Sequence, residues 1–138
     1  MYLRNPRIIY ALGGSLKDGK IDCSEFVRQC ALPFLKGKAK TQRTQAWRIY
    51  RGLDGFDSKP VDWMRDNEVA DLLCLRVPGS LNRPYGINHV GAVILWRGNF
   101  AIIDANSRTK GIRIGPFQGI WKKYLPPDGY RRLTIGDK

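Results

Sequence analysis

The stretch Asp22-Cys23-Ser24-Glu25-Phe26-Val27 opens a segment whose apolar spacing predicts a helix. Apolar residues recur three, four, seven and eight positions after Cys23, at Phe26, Val27, Cys30 and Ala31. The helix should end near Leu32, because Pro33 discourages its continuation. A thiol in the first helical turn lies at the positive end of the helix dipole, which favours the thiolate. Cys23 is therefore a candidate nucleophile.

The only histidine of the chain, His89, could supply the base that such a nucleophile needs. It lies in the apolar segment 88–94, whose pattern predicts a strand. A thiolate attacks a carbonyl carbon, and the imidazole first holds the thiol proton and then protonates the leaving amine. An early cysteine on a helix and a later histidine on a strand thus form a candidate catalytic pair.

A third polar group would fix the tautomer of the imidazole. If residues 89–96 and 100–105 form a hairpin, Asp104 returns roughly opposite His89. Asp104 is also flanked by apolar residues, which is an unusual place for a carboxylate without a partner. Asp104 is the first choice for this role, and Asn106, two residues further on the same face, is the alternative. The backbone N–H of Cys23 and the hydroxyl of Tyr10 are the candidate oxyanion donors.

Each of these residues also has a purely structural interpretation. A cysteine on a helix is more often a small core residue, and a histidine in an apolar strand is more often a core histidine with a hydrogen-bond partner. An aspartate at the end of a strand can simply start a turn. The order of cysteine, histidine and polar residue, each in a suitable element, favours the catalytic interpretation.

The rest of the chain predicts helices first and a meander of strands second. Residues 5–11 are expected to form a short helix, residues 45–50 a second one capped by Thr44, and residues 54–60 a polar loop. Strands are expected at 72–77, 89–96, 100–105, 111–114 and 130–135, with a short helix at 120–124. The prediction is an α+β fold of one domain, residues 1–138, with N-terminal helices packed on an antiparallel β-sheet.

Composition narrows the classes of partner. The net charge of +12 indicates an acidic partner such as nucleic acid, an anionic membrane surface or an anionic wall polymer, unless it serves solubility alone.

Three cysteines exclude a complete disulfide framework, and Cys30 and Cys74 are expected to be buried packing residues. No metal-ligand spacing is present, so no cofactor is expected. The sequence has no apolar run near the roughly 20 residues of a membrane span, and its first residues lack a signal-peptide core.

Six segments, in order, resemble motifs of the NlpC/P60 family of cysteine peptidases. They are Tyr10-Ala11-Leu12-Gly13-Gly14 with Asp22-Cys23-Ser24-Glu25-Phe26-Val27, then Arg43-Thr44-Gln45, Ala70-Asp71-Leu72, Asn88-His89-Val90-Gly91, Asp104-Ala105-Asn106-Ser107 and Tyr130-Arg131-Arg132-Leu133. The resemblance implies a papain-like core with Cys23 as nucleophile, His89 as general base and acid, and Asp104 as third polar residue. It implies that Tyr10 and Ser24 lie near the oxyanion and the substrate. The implied substrate is a peptidoglycan stem peptide, often cut next to a D-γ-glutamyl residue.

The chain departs from the family pattern at three positions. Glu25 stands where the family usually has glycine, Asp104 stands where histidine is commoner, and Leu12 stands where an aromatic residue is frequent. The related CHAP amidases share the order of cysteine before histidine, so amidase cleavage is an alternative. Members without a signal peptide are expected to be phage lytic or tail proteins or injected effectors, acting at the bacterial cell wall or periplasm. Their expected partners are peptidoglycan peptides, and anionic wall polymers are a further candidate.

Two other functions remain open. One is a basic binding module on an inactive papain-like scaffold, with Trp47, Trp96 and Trp121 as candidate contacts to a wall polymer or nucleic acid. These aromatic residues lie in apolar runs and the basic residues form no stripe, so nucleic acid is the less favoured partner. The other is a phage tail or assembly component that keeps the fold without the chemistry.

Overall fold

The computed structural model describes residues 9–10, 20–35, 37–53, 55–62, 67–78, 83–106 and 111–133, and they form a mixed α+β fold with a six-stranded antiparallel sheet. The strands are β1 (Ile9–Tyr10), β2 (Lys20–Ile21), β3 (Ser58–Pro60), β4 (Leu72–Leu75), β5 (His89–Trp96), β6 (Asn99–Asn106), β7 (Gly111–Gly115) and β8 (Tyr130–Leu133). The helices are α1 (Cys23–Ala31), α2 (Ala46–Tyr50) and α3 (Ile120–Tyr124), with 3-10 turns at Leu32–Phe34, Gly37–Lys40 and Pro84–Gly86. The sheet order is β3-β8-β4-β5-β6-β7. The predicted α+β class and the antiparallel sheet are confirmed.

Strand β4 lies in the middle of the sheet and is covered on both faces. Leu72 and Cys74 belong to the core that the sheet shares with α1 and α2, whereas Leu73 and Leu75 belong to a second core against α3. Successive side chains of a strand point to opposite faces, so burial of both faces requires every position to be apolar. This explains why β4 reads as a continuous apolar run, and it confirms that Cys74 is buried.

Helix α1 begins where the sequence predicts, and Asp22 caps it. The Asp22 Oδ1 atom accepts a hydrogen bond from the backbone N–H of Glu25 at 2.9 Å, an N-cap interaction worth about 1 kcal/mol. The helix packs on β5 and β6 through Phe26, Val27 and Ala31, which are buried. Cys30 is exposed, so its predicted burial is wrong. Helical periodicity predicts on which face of α1 a side chain lies, but not how much of that face the sheet covers.

Two predictions of secondary structure are wrong because the segments concerned pair with strands elsewhere in the chain. Ile9 and Tyr10 are not helical: β1 pairs in parallel with β2, with Tyr10 opposite Ile21. Residues of these types favour strands once a partner is present, and the other residues of the predicted helix lie outside those described. Part of the predicted loop 54–60 is strand β3, which pairs with β8 at the edge of the sheet.

Thr44 does not cap α2 as predicted. Gln45 occupies the N-cap position, and its side chain makes no capping hydrogen bond. Thr44 is buried instead, and its carbonyl oxygen accepts a hydrogen bond from the Ser24 hydroxyl at 2.9 Å. This bond fixes the segment before α2 against the first turn of α1, which carries Cys23.

Candidate active site

Cys23 is the first residue of α1, and its side chain is 6% exposed. It lies at the wall of a cavity of about 330 Å³ that is also bounded by the segment 43–48 and by residues 83, 87 and 88. Its sulfur lies close enough to the imidazole of His89 to raise the pKa of that ring. The helix start thus holds the sulfur beside an imidazole and next to a space large enough for part of a substrate.

His89 is the first residue of β5, and its Nε2 atom lies 2.6 Å from Oδ2 of Asp104 on β6. Because Ala92 lies opposite Ile103, counting three residues along each strand puts Asn106, not Asp104, opposite His89. Asp104 therefore reaches the imidazole diagonally, from two positions away on the same face. With Nε2 bonded to Asp104, Nδ1 is the ring nitrogen that remains for Cys23. The structure thus brings Cys23, His89 and Asp104 together.

Arg113 is a fourth member of this group that the sequence analysis missed. It lies opposite Asp104 in the β6–β7 pair, and two of its nitrogens donate to the carboxylate: Nε to Oδ1 at 3.1 Å and Nη2 to Oδ2 at 2.9 Å. The Asp104 side chain is fully buried and that of Arg113 is 10% exposed. Such a bidentate pair fixes the plane of the carboxylate. Arg113 stands between two isoleucines. A charged residue with apolar neighbours on both sides is the same signal that indicated Asp104.

The indole ring of Trp121, on α3, packs against the imidazole of His89 and the guanidinium of Arg113. Its ring centroid lies 5.3 Å from that of His89, and the Arg113 guanidinium carbon lies 5.9 Å from the same ring. Gly91 makes room for the indole, because a Cβ atom at residue 91 would lie 2.5 Å from Cη2 of Trp121. Gly91 therefore allows Trp121 to approach the strand that carries the histidine.

The surroundings of His89 strongly favour its protonated form. Burial alone would lower the pKa of the imidazole, but the charge of the Cys23 thiolate, the hydrogen bonds to Asp104 and Cys23, and the charge of Asp104 together raise the pKa to about 10. The Cys23 sulfur, the His89 imidazole, the Asp104 carboxylate and the Arg113 guanidinium thus form one row of polar groups. A low-dielectric site strengthens each attraction in such a row.

Glu25, which stands where the NlpC/P60 motif that the chain resembles usually has glycine, is not among the residues that line the cavity. Its side chain is buried, and its two oxygens accept from Arg28 at 2.6 and 2.8 Å and from Gln29 at 2.9 Å. Arg28 also donates to the carbonyl oxygen of Lys40 at 3.2 Å. The pair therefore links α1 to the segment that leads to the cavity wall.

The other predicted site residues have mixed outcomes. Ser24 lines the cavity, and its hydroxyl is bonded to Asp22 and to the Thr44 carbonyl. The side chains of Tyr10 and Asn106 lie outside those described, although the backbone of Tyr10 pairs with Ile21 just before α1. Their proposed roles as oxyanion donor and alternative third residue stay predictions.

The described residues contain no group of three or more His, Cys, Asp or Glu side chains that could hold a metal ion. Within the same ranges, no helix is long and apolar enough to cross a membrane. No protein-family model matches the sequence, and a search of characterised proteins gives no match. The chemistry of the site and the sequence motifs are therefore what indicate a function.

Proposed function

We propose that this protein is a cysteine hydrolase that cleaves amide bonds in bacterial peptidoglycan stem peptides. The observation that carries the proposal is that His89 is bonded to Asp104 and lies beside Cys23, which lines an open cavity. A largely buried histidine that lies between a thiol and a carboxylate is the arrangement that thiol hydrolases require. The six resembling segments support a papain-like NlpC/P60 fold and an endopeptidase, with amidase cleavage as the alternative.

The proposed reaction has two halves. The Cys23 thiolate attacks the carbonyl carbon of the substrate amide, and the backbone N–H at the start of α1 stabilises the oxyanion. The His89 imidazolium gives its proton to the leaving amine, and the C–N bond breaks to leave a thioester. The neutral imidazole then takes a proton from water, the resulting hydroxide attacks the thioester, and the carboxylic acid leaves. The thiolate and the imidazolium are restored.

Asp104 and Arg113 act through the imidazole. The carboxylate accepts the Nε2 proton, which keeps Nδ1 directed at the sulfur and stabilises the positive charge on the ring. Arg113 holds the carboxylate in one orientation by two hydrogen bonds. Because Asp104 is fully buried, Arg113 also supplies a charged, hydrogen-bonded partner of the kind that a buried carboxylate needs.

Two features of the sequence support the bacterial cell wall as the site of action. The motif resemblance indicates stem peptides, and the net charge of +12 suits an acidic wall. A phage component or an injected effector is the class of protein that we propose, with peptidoglycan peptides as substrate and anionic wall polymers as an additional partner.

The test is a mass-spectrometric digest of purified peptidoglycan of several chemotypes. We expect wild type to release new stem-peptide fragments, whose masses identify the bond and separate endopeptidase from amidase cleavage. Cys23→Ala should release none. If wild type releases no fragments from any chemotype, the hydrolase proposal is wrong.

A second candidate function is supported by an aromatic cluster beside the cavity, of which one ring is exposed. The ring of Tyr85, which is 50% exposed, lies 6.4 Å from that of Trp47 and 5.9 Å from that of Tyr50. Arg51 stacks on Tyr85, and Arg131 stacks on Tyr50. Interleaved rings and guanidinium groups suit a polyanionic chain. A pure binding module would bind wall polymers in a salt-sensitive way, and would keep this binding in Cys23→Ala but lose it in Tyr85→Ala.

A further inference from the structure

The chain leaves the sheet immediately before His89. This residue, the first of β5, lies opposite Leu75 of β4. Continued in the same register, the strand pair would place Ile87 opposite Val77. The backbone N–H of Ile87 donates instead to the carbonyl oxygen of Pro84 at 3.3 Å, in the 3-10 turn before β5. The backbone of Val77 therefore needs another partner for its two polar groups.

The side chain of Asn88 is that partner. Its Oδ1 atom accepts a hydrogen bond from the backbone N–H of Val77 at 2.9 Å, and its Nδ2 atom donates to the Val77 carbonyl oxygen at 2.6 Å. The backbone N–H of Asn88 donates to the carbonyl oxygen of Leu75 at 3.0 Å. A side-chain amide offers an acceptor and a donor side by side, as a peptide group does, whereas a carboxylate offers only acceptors. The residue type thus fits the role of a substitute strand partner.

The three hydrogen bonds of Asn88 fix the backbone on the N-terminal side of His89. The ring of His89 is fixed by Asp104, whose Oδ2 atom lies 2.6 Å from Nε2. Cys23 belongs to a different element, the start of α1, so the distance between the imidazole and the sulfur depends on where β5 begins. Asn88 also lines the cavity beside Cys23, together with Ile87. The amide therefore lies where it can control both the pair and the cavity wall.

We propose that Asn88 is a positioning residue, whose side-chain amide fixes the start of β5 and thereby holds the His89 imidazole in place beside Cys23. Both polar atoms of the amide are bonded to Val77, so Asn88 acts through the backbone and not on the reacting atoms. Without the amide, the chain before His89 loses two of its restraints. The inference rests on the proposed function, because it concerns the geometry on which the proposed reaction depends.

The first test needs no substrate. It measures the rate of alkylation of Cys23 by iodoacetamide at pH 7, relative to that of the exposed Cys30 in the same molecule. Asn88→Ala removes both bonds to Val77, and we expect the rate ratio to fall about 10-fold, because a misplacement of about 1 Å can cost up to about 100-fold in rate. Asn88→Gln, which keeps the amide on a longer side chain, should recover part of the loss. Asn88→Ser, whose hydroxyl is too short to bond both groups of Val77, tests the same point if Asn88→Ala does not fold.

A second measurement separates positioning from a purely structural role. A structural role alone would lower the free energy of unfolding and leave the chemistry of the folded site unchanged. Positioning predicts that the pKa of His89, followed by NMR, is lower in folded Asn88→Ala than in wild type, because the imidazole then lies further from Cys23. It also predicts that kcat for peptidoglycan cleavage falls while KM changes little, because the interaction that is lost is not one with the substrate.

Asn99→Ala is the matched control. Asn99 is also the first residue of a strand in the same sheet, but it pairs with Trp96 at the other end of β5, about 23 Å along the strand from His89. The alkylation ratio and the pKa of His89 should both survive this change. Circular dichroism checks that each variant is folded.

Two results would overturn the inference: an alkylation ratio in folded Asn88→Ala or Asn88→Ser equal to that of wild type, or an unchanged pKa of His89 in these variants. Failure of the proposed function looks different. If the Asn88 variants lower both quantities but wild type releases no fragments from peptidoglycan, the positioning role stands and the hydrolase does not.

Discussion

Replacing Cys23 by alanine should change the titration of His89, and this can be measured without any substrate. A pKa raised from the ordinary 6.5 to about 10 corresponds to about 5 kcal/mol of preference for the imidazolium. An opposite charge within about 4–6 Å accounts for a change of about 1–3 pH units. Because alanine removes both the thiolate charge and its hydrogen bond, we expect the pKa of His89 to fall by about that amount.

The assay is a pH titration of the imidazole nitrogens by NMR, on protein from which any affinity tag has been removed. His89 is the sole histidine, so the signals need no assignment. Cys30→Ala is the control, because this exposed cysteine lies on the same helix and should leave the titration unchanged. A pKa near 6.5 in wild type, or one that is the same in Cys23→Ala, would refute the proposed ion pair.

Three further outcomes follow. The stabilisation of the folded protein by His89 is fully present below pH 6.5 and is lost as the pH rises towards about 10. In urea denaturation, the free energy of unfolding of wild type should therefore fall by at most about 1.4 kcal/mol per pH unit in that window. His89→Gln should not show this fall. Gly91→Ala would put a Cβ atom 2.5 Å from Trp121 Cη2 and should cost about 1–3 kcal/mol; an unchanged melting temperature would contradict the packing argument. Arg113→Gln removes one partner of the fully buried Asp104 and should cost about 3 kcal/mol in the same denaturation assay. Arg113→Lys should recover part of that loss, and equal stability of Arg113→Gln and wild type would show that the pair is dispensable.

The parts of the fold that could be predicted are those whose determining residues lie close together in the sequence. Strand β5 runs from His89 to Trp96 as expected, and the turn after it has positive φ angles at Arg97 and Gly98. Such a two-residue turn fixes the pairing of the strands that it joins. This is why Asp104 could be expected near His89 from sequence alone.

The parts that could not be predicted depend on partners distant in the sequence. Strand β3 reads as a loop because its partner, β8, lies about 70 residues later, in the register Lys59 opposite Arg132. The packing of Tyr85 against Trp47 joins two segments that are distant in the sequence, and no periodicity reveals it. Arg113 is different, because its place between two isoleucines is visible in the sequence and indicates a buried charge that needs a partner.

The most direct test of an activated Cys23 is its rate of alkylation by iodoacetamide at pH 7, measured by peptide mapping alongside Cys30 in the same molecule. Exposure alone predicts that Cys30, which is exposed, reacts faster than Cys23, which is 6% exposed. Activation by His89 predicts the reverse, because the thiolate is the reactive form. We expect Cys23 to be labelled first in wild type and to lose this advantage in His89→Ala. Faster labelling of Cys30 in wild type, with no change in His89→Ala, would contradict the account.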